Sequence, residues 1–446
     1  MKTYEEYKST GILELDKIPT HWDLKRLYGI GTSFYKGSGI TKLDINNIRG
    51  TQCLRYADIY TKFQISFFQT SCYTDVNIIA TPVWAKYGDI LFAGTGEKVE
   101  EIGKNIVYLG TEPILVGGDI IGMRHQQNAK YLSYLLSAHP IQLQKSKGKS
   151  KLKVVHITTN ELKNIYLPLP PTLEQEAIAV FLDSKILKIN TYVAEREREL
   201  HALEELKQAE IASVVTRGMT PDVPMHDSGI PWIGQIPAHW EVETIRSLFR
   251  LASEKNTNPD ATLLSLSQYD GISLKRDAGK TGMFEAESTI GYNVVHKGQF
   301  VMNIMLAWNG SYAISEYDGV ISPAYCVFDF IRPCNKKYFD LLLRQPSYAA
   351  AFKTQSKGLI DSRLRLYPQY FKSFPIIIPP IEEQNQIVEY INNKTEKIDR
   401  LVSNLTAEID RLKEFKQKLI SDTVTGQIDV RDYKPQPLHN ECTSCV

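Results

Sequence analysis

The stretch Pro170–Leu203, PPTLEQEAIAVFLDSKILKINTYVAERERELHAL, decides the fold, because its plan returns 209 residues later in Pro379–Leu412, PPIEEQNQIVEYINNKTEKIDRLVSNLTAEIDRL. Both copies open on PPxxEQ. In the first, Leu182, Ile186, Ile189, Val193, Arg196, Leu200 and Leu203 fall at alternating steps of four and three. The same offset lands on Ile391, Thr395, Ile398, Val402, Leu405, Ile409 and Leu412. Six of the seven positions are apolar in each copy, and the exceptions, Arg196 and Thr395, do not coincide. A seam with a period of 3.5 is what two helices need to interlock as a coiled coil. Two amphipathic helices on separate cores are the alternative, but two gap-free copies at one offset favour mutual pairing. The paired prolines suit the start of a helix, and the glutamate complements its positive end.

The repeat extends outward. IPTHW at Ile18–Trp22 returns as IPAHW at Ile236–Trp240, and Gly11-Ile12 returns as Gly229-Ile230, 218 residues on. A period above 200 residues is far beyond any solenoid, so it marks two domain-plus-helix units. Like units tend to pack about a pseudo-twofold axis, which makes the two helices antiparallel. Forty helical residues would span roughly 60 Å, about the length of 17 base pairs, so the helices would act as a ruler between two readers. The expected organisation is an N-terminal recognition domain over 1–168, a helix over 169–215, a linker and second recognition domain over 216–377, a second helix over 378–426, and a tail over 427–446. Residues 23–165 and 241–375 show no convincing identity. KYGDILF, NIVYLG and EPILVGGDIIGMRH, followed by the helix-like AKYLSYLLSAH, give the first a mixed α/β (α+β) or β-rich character.

Composition sets the limits. The chain has 446 residues, 43% apolar and 23% charged, enough for about three ordinary domains and too apolar for disorder. No run approaches the ~18 apolar residues of a membrane span, and the N-terminus has no apolar core of a signal peptide. Six cysteines fit a reducing cytosol better than a disulfide scaffold. A net charge of +1 restricts any nucleic-acid surface to a local patch.

Two such patches stand at matching places. QKSKGKSKLK (Gln144–Lys153) alternates Lys145, Lys147, Lys149, Lys151 and Lys153 with neutral residues. In an extended segment this lines five ammonium groups along one face, suited to a phosphate backbone. A solvated lysine loop is the bland alternative. In the second half Ser356-Lys357-Gly358 follows the helix-like FDLLLRQPSYAAAF, and Arg363 and Arg365 take the alternating cationic role. Arginine adds a bidentate fork able to read guanine. Trp308 and Asn309 in AWNGS, and Glu97 and Lys98 in GTGEKVEE, are further candidates for groove contact, set against ordinary turn and packing roles.

Catalytic boxes are missing. GKS at Gly148–Ser150 and GKT at Gly279–Thr281 have leucine, Leu143 and Leu274, where a phosphate loop needs its first glycine. There is no Asn-Pro-Pro-aromatic box, GxSxG elbow or HExxH pair. Cys442 and Cys445 have no second CxxC, so a frayed tail is favoured over zinc. His21 and His239, before the repeated tryptophans, read as packing or turn residues.

The frame of IPxHW, variable region, PPxxEQ and long helix, written twice, resembles the specificity subunit of type I restriction–modification systems. DSGIPWIGQIPAHW (Asp227–Trp240) is similar to the family's segment between its halves, and Gly88–Gly110 and Phe300–Tyr325 resemble its target-recognition domains. The resemblance implies a chain that reads double-stranded DNA and has no catalysis or cofactor of its own. Each recognition domain would read half of a bipartite site. The seam residues Leu182, Ile189, Val193, Leu200, Ile391, Ile398, Val402, Leu405 and Ile409 would form the coiled coil and subunit interface. It also implies two methyltransferase subunits using S-adenosylmethionine on adenine N6, motor–nuclease subunits using ATP and Mg2+, and a cytoplasmic, nucleoid-associated location. A methylation-only system is the nearest alternative. A coiled-coil adaptor without DNA, or an enzyme with its site in one variable region, is further off.

Overall fold

The computed structural model describes residues 2–46, 49–150, 154–268, 271–275, 288–358 and 364–434. The chain divides into two compact units, Met1–Glu197 with Ala407–Val446, and Arg198–Thr406. Each carries its own core, one around Trp22, Phe92, Tyr131 and Leu182, the other around Trp240, Phe300, Phe328 and Phe371.

The first unit holds a sheet ordered Gly31–Lys36, Ile120–His125, Ile90–Ala93, Asn105–Tyr108, Ser66–Phe67. The second holds Phe249–Leu251, Tyr325–Phe330, Phe300–Asn303, Tyr312–Ile314. The first four positions correspond, with the antiparallel pairs Leu91↔Gly122 and Val301↔Val327 at the two centres. The central strands, ILFA and FVMN, are buried along their whole length, so both faces are covered. Two domains without convincing sequence identity therefore share one strand order. What differs is the filling: aliphatic side chains dominate the first sheet, whereas Phe300 of the second stacks within 4° of parallel on Phe371 of the helix Pro368–Phe371.

The long helices run Thr172–Arg217 and Ile381–Val424. Both start three residues inside the expected bounds, because Tyr166–Leu169 and Pro375–Ile378 are strands paired with Asp23–Arg26 and Glu241–Thr244. Pro170-Pro171 and Pro379-Pro380 fill the step between strand and helix, where a missing N–H costs nothing. Along 187–210 the positions that are not exposed are 189, 193, 196, 200, 203, 207 and 210, a strict four-three alternation. Within the first unit Lys413 bonds Glu197 at 2.9 Å, Tyr192 bonds Glu408 at 3.0 Å and Lys416 bonds Asn190 at 3.0 Å. Within the second, Tyr390 donates to Glu210 at 2.7 Å and Lys207 to Asp399 at 2.5 Å.

The repeated motifs explain one another once folded. In the first unit the Trp22 indole N–H donates to Glu174 at 3.1 Å, His21 bonds the same carboxylate at 2.9 Å, and the Tyr4 hydroxyl also donates to it. In the second, Trp240 and His239 bond Glu383 at 2.9 and 2.7 Å. The glutamine of each PPxxEQ accepts the backbone N–H of a helix-capping asparagine, Gln175 from Asn128 and Gln384 from Asn335. IPxHW and PPxxEQ are thus two halves of one clamp. Each clamp also seats the glycine that ends the other helix: a Cβ on Gly426 would strike Pro19 and Trp22, and one on Gly218 would meet Glu383 and Trp240. Both glycines have φ near +77°, the left-handed turn that stops a helix without penalty only for glycine. In each unit, therefore, the start of one long helix and the end of the other meet on a single tryptophan.

Part of the expected tail is structural. Asp429 N–H donates to the Lys2 carbonyl at 2.9 Å, Tyr433 donates to Ser184 at 2.9 Å, and the Arg431 guanidinium lies over Tyr4. The segment 427–434 belongs to the first core because Val430 is buried there. Cys442 and Cys445 lie outside the described residues.

Candidate nucleic-acid interface

In both domains the buried central strand runs out into a loop, and the chain that follows the basic Lys-Gly segment bonds that loop. In the first, Ile90–Ala93 leads into Gly94–Lys98, where Thr95-Gly96 pairs with Val155-His156 and Ile157 N–H donates to Gly94 O at 2.9 Å. In the second, Phe300–Asn303 leads into Ile304–Asn309, and Leu366 N–H donates to Ile304 O at 2.9 Å. Glu97 and Lys98 thus share a topological position with Trp308 and Asn309. The basic segments Lys147-Gly148 and Lys357-Gly358 likewise precede the two returning stretches.

The lysine row itself is not formed as expected. Lys145 ends the helix His139–Ser146 and is 2% exposed. Its ammonium donates to Gly103 O at 2.9 Å, Asn105 Oδ1 at 3.0 Å and Leu136 O at 2.7 Å. Burial pushes its pKa down to about 7. This lysine stitches a helix to the sheet and cannot touch a phosphate. Lys149 is also drawn in, 11% exposed, bonding Glu161 at 2.7 Å and the His156 carbonyl at 2.6 Å. Lys147 is 72% exposed, with Glu14 at 3.3 Å. A helix end followed by a turn at Gly148 (φ +74°) breaks the extended register that alternation required. Lys151, Lys153 and Arg363 lie outside the described residues.

The second domain assembles a patch. Lys357 and Arg365 are exposed and directly paired, exchanging both backbone hydrogen bonds at 2.9 Å. The Lys357 ammonium lies 5.4 Å from the Tyr370 ring centroid, and that of Lys353 lies 5.1 Å from Trp308. Trp308 is half-buried, its N–H donating to Met305 O at 3.0 Å, while exposed Asn309 donates to Gln268 at 2.6 Å. Three cations, two aromatic faces and two amides are the ingredients for holding phosphate and reading base edges. Sequence reading missed Lys353, Tyr370 and Gln268. Lys353 stands four residues before Lys357, near the end of the helix Pro346–Gln355, and was legible; Gln268 carried no signal. In the first domain Glu97 is exposed and Lys98 pairs with Glu101 at 3.2 Å.

Among the described residues no cluster of His, Cys, Asp or Glu could hold a metal, and no helix is long and apolar enough to cross a membrane.

The family model for the type I restriction modification DNA specificity domain matches residues 85–201 and 237–411. The MjaVIII specificity subunit of a type I restriction enzyme from Methanocaldococcus jannaschii is 24% identical, over 96% of this chain and 98% of that protein. A solved chain from work on complex assembly and conformational transition of the type I R-M system superposes with a TM-score of 0.68 at 15% identity, over 92% of this chain and 99% of that one. The HsdS subunit from Thermoanaerobacter tengcongensis matches with a TM-score of 0.47 over 92% and 98%. With paired specificity-domain matches spanning most of its length, the chain belongs to the type I restriction–modification DNA specificity family.

Proposed function

We propose that this chain is the sequence-specific DNA-binding subunit of a type I restriction–modification complex, each recognition domain reading half of a bipartite, asymmetric site. The observation that carries this is the pair of domains with one strand order and different chemistry at the same loop. A shared scaffold with unlike contact residues gives two readers with unlike targets. The long helices pair as an antiparallel coiled coil. The seam burial and the two equivalent Trp–Glu–Gly clamps support this arrangement.

On this reading the chain supplies recognition, not chemistry. Its helices dock two methyltransferase subunits, which flip the target adenine and methylate N6 with S-adenosylmethionine. Motor–nuclease subunits, using ATP and Mg2+, complete the restriction enzyme. The subunit works in the cytoplasm, at the nucleoid. The test is single-molecule sequencing of adenine methylation in host DNA with and without the gene. Loss of one bipartite motif is expected. An unchanged methylome, with no methyltransferase retained by the intact chain, would overturn the assignment.

A further inference from the structure

We infer that Asn309 is a base-reading residue of the second domain, held in reading position by Gln268, and that it selects adenine. The inference rests on the DNA-reading function proposed above and assigns a specific contact within it.

The amide is rigidly mounted. Asn309 closes a single helical turn, Ala307–Asn309, with its own N–H donating to Leu306 O at 2.9 Å. Gly310, at φ +81°, and Ser311 return bonds to Ala307 O and Leu306 O, so the turn is tied at both ends. The neighbouring Trp308 is fixed by its bond to Met305 O and by the Lys353 ammonium over its ring. Gln268 follows the strand Leu264–Ser267 and accepts one N–H of the Asn309 amide. That leaves Asn309 one N–H and its Oδ1 for a ligand. The pair matches the major-groove edge of adenine, whose N6 donates and whose N7 accepts. Guanine offers two acceptors there and would face Oδ1 with a lone pair. Exposed Lys357 and Arg365, on the same domain, supply the phosphate grip that carries no sequence information.

The experiment uses the full chain assembled with its methyltransferase subunits on a plasmid library randomised in the second half-site, read by single-molecule sequencing. The wild type should prefer A·T at one position by about tenfold or more, and Asn309→Ala should reduce that preference to about twofold or less, leaving other positions unchanged. Gln268→Met should weaken the same position, whereas Gln268→Glu, which keeps the acceptor, should retain the preference. Lys357→Ala should lower methylation evenly across the library. Full discrimination at every position in Asn309→Ala, relaxation at a G·C position, or an even loss like that of Lys357→Ala would each overturn the inference. A wild type that methylates no bipartite motif would overturn the underlying function instead.

Discussion

Replacing Lys145 by methionine keeps the length of a buried side chain and removes three hydrogen-bond donors. Gly103 O, Leu136 O and Asn105 Oδ1 would lose their partner in a site that water does not reach. Each orphaned acceptor costs about 1–3 kcal/mol, while relief of the ammonium's desolvation acts in the opposite sense, leaving a net loss of about 2–3 kcal/mol. The opening equilibrium of the first domain should then rise roughly 30- to 150-fold. Amide hydrogen exchange reports it directly, as faster exchange across Asn105–Tyr108 and Ala129–Ser137, the strand and helix that Lys145 ties together. The salt dependence of DNA binding by the folded protein should not change. If exchange stays at the wild-type rate and the slope of log K against log salt flattens by about 1, Lys145 is a phosphate contact and the argument from burial is wrong.

Lys357→Ala should flatten that slope by about 1, whereas Lys149→Ala, already engaged by Glu161, should leave it unchanged. Glu174→Ala should destabilise its unit more than Glu383→Ala does its own, because three donors converge on the first carboxylate and two on the second; urea midpoints in the reverse order would contradict the clamp. Val193→Asp or Val402→Asp, at half-buried seam positions, should abolish co-purification with methyltransferase subunits while each recognition domain keeps its fold, and stoichiometric co-purification would count against the seam as the docking element. The hydrogen bond that His296 donates to Glu254, then the nearby Asp318, raises the His296 pKa above 6.5. A raised folded value means this contact stabilises below the ordinary histidine range and fades as pH climbs through the folded pKa. An NMR titration should show a midpoint above 6.5 that falls back in Glu254→Gln.

Periodicity and repetition were legible along the chain. The seven-position seam, the paired prolines before each long helix and the twice-written IPxHW are local patterns, and they mark two long helices and a repeat, whereas the closing of IPxHW on PPxxEQ, Trp22 on Glu174 across 152 residues, was not legible. The strand order common to both domains was not legible, since ILFA and FVMN satisfy the same buried strand with different side chains. Burial constrains apolarity and volume, not identity. The lysine row failed for a related reason. Alternation predicts a shared face only if the backbone is extended, and the helix that ends at Ser146 removes that condition. Which lysine is a strut and which faces solvent depends on the packing around it. Lys145 and Lys357 are the same residue type, but one meets three carbonyl-type oxygens in the core and the other meets solvent beside Tyr370. The pairing of Asn309 with Gln268, 41 residues apart, likewise comes from two strands brought together by the shared core, a contact that no spacing along the chain encodes.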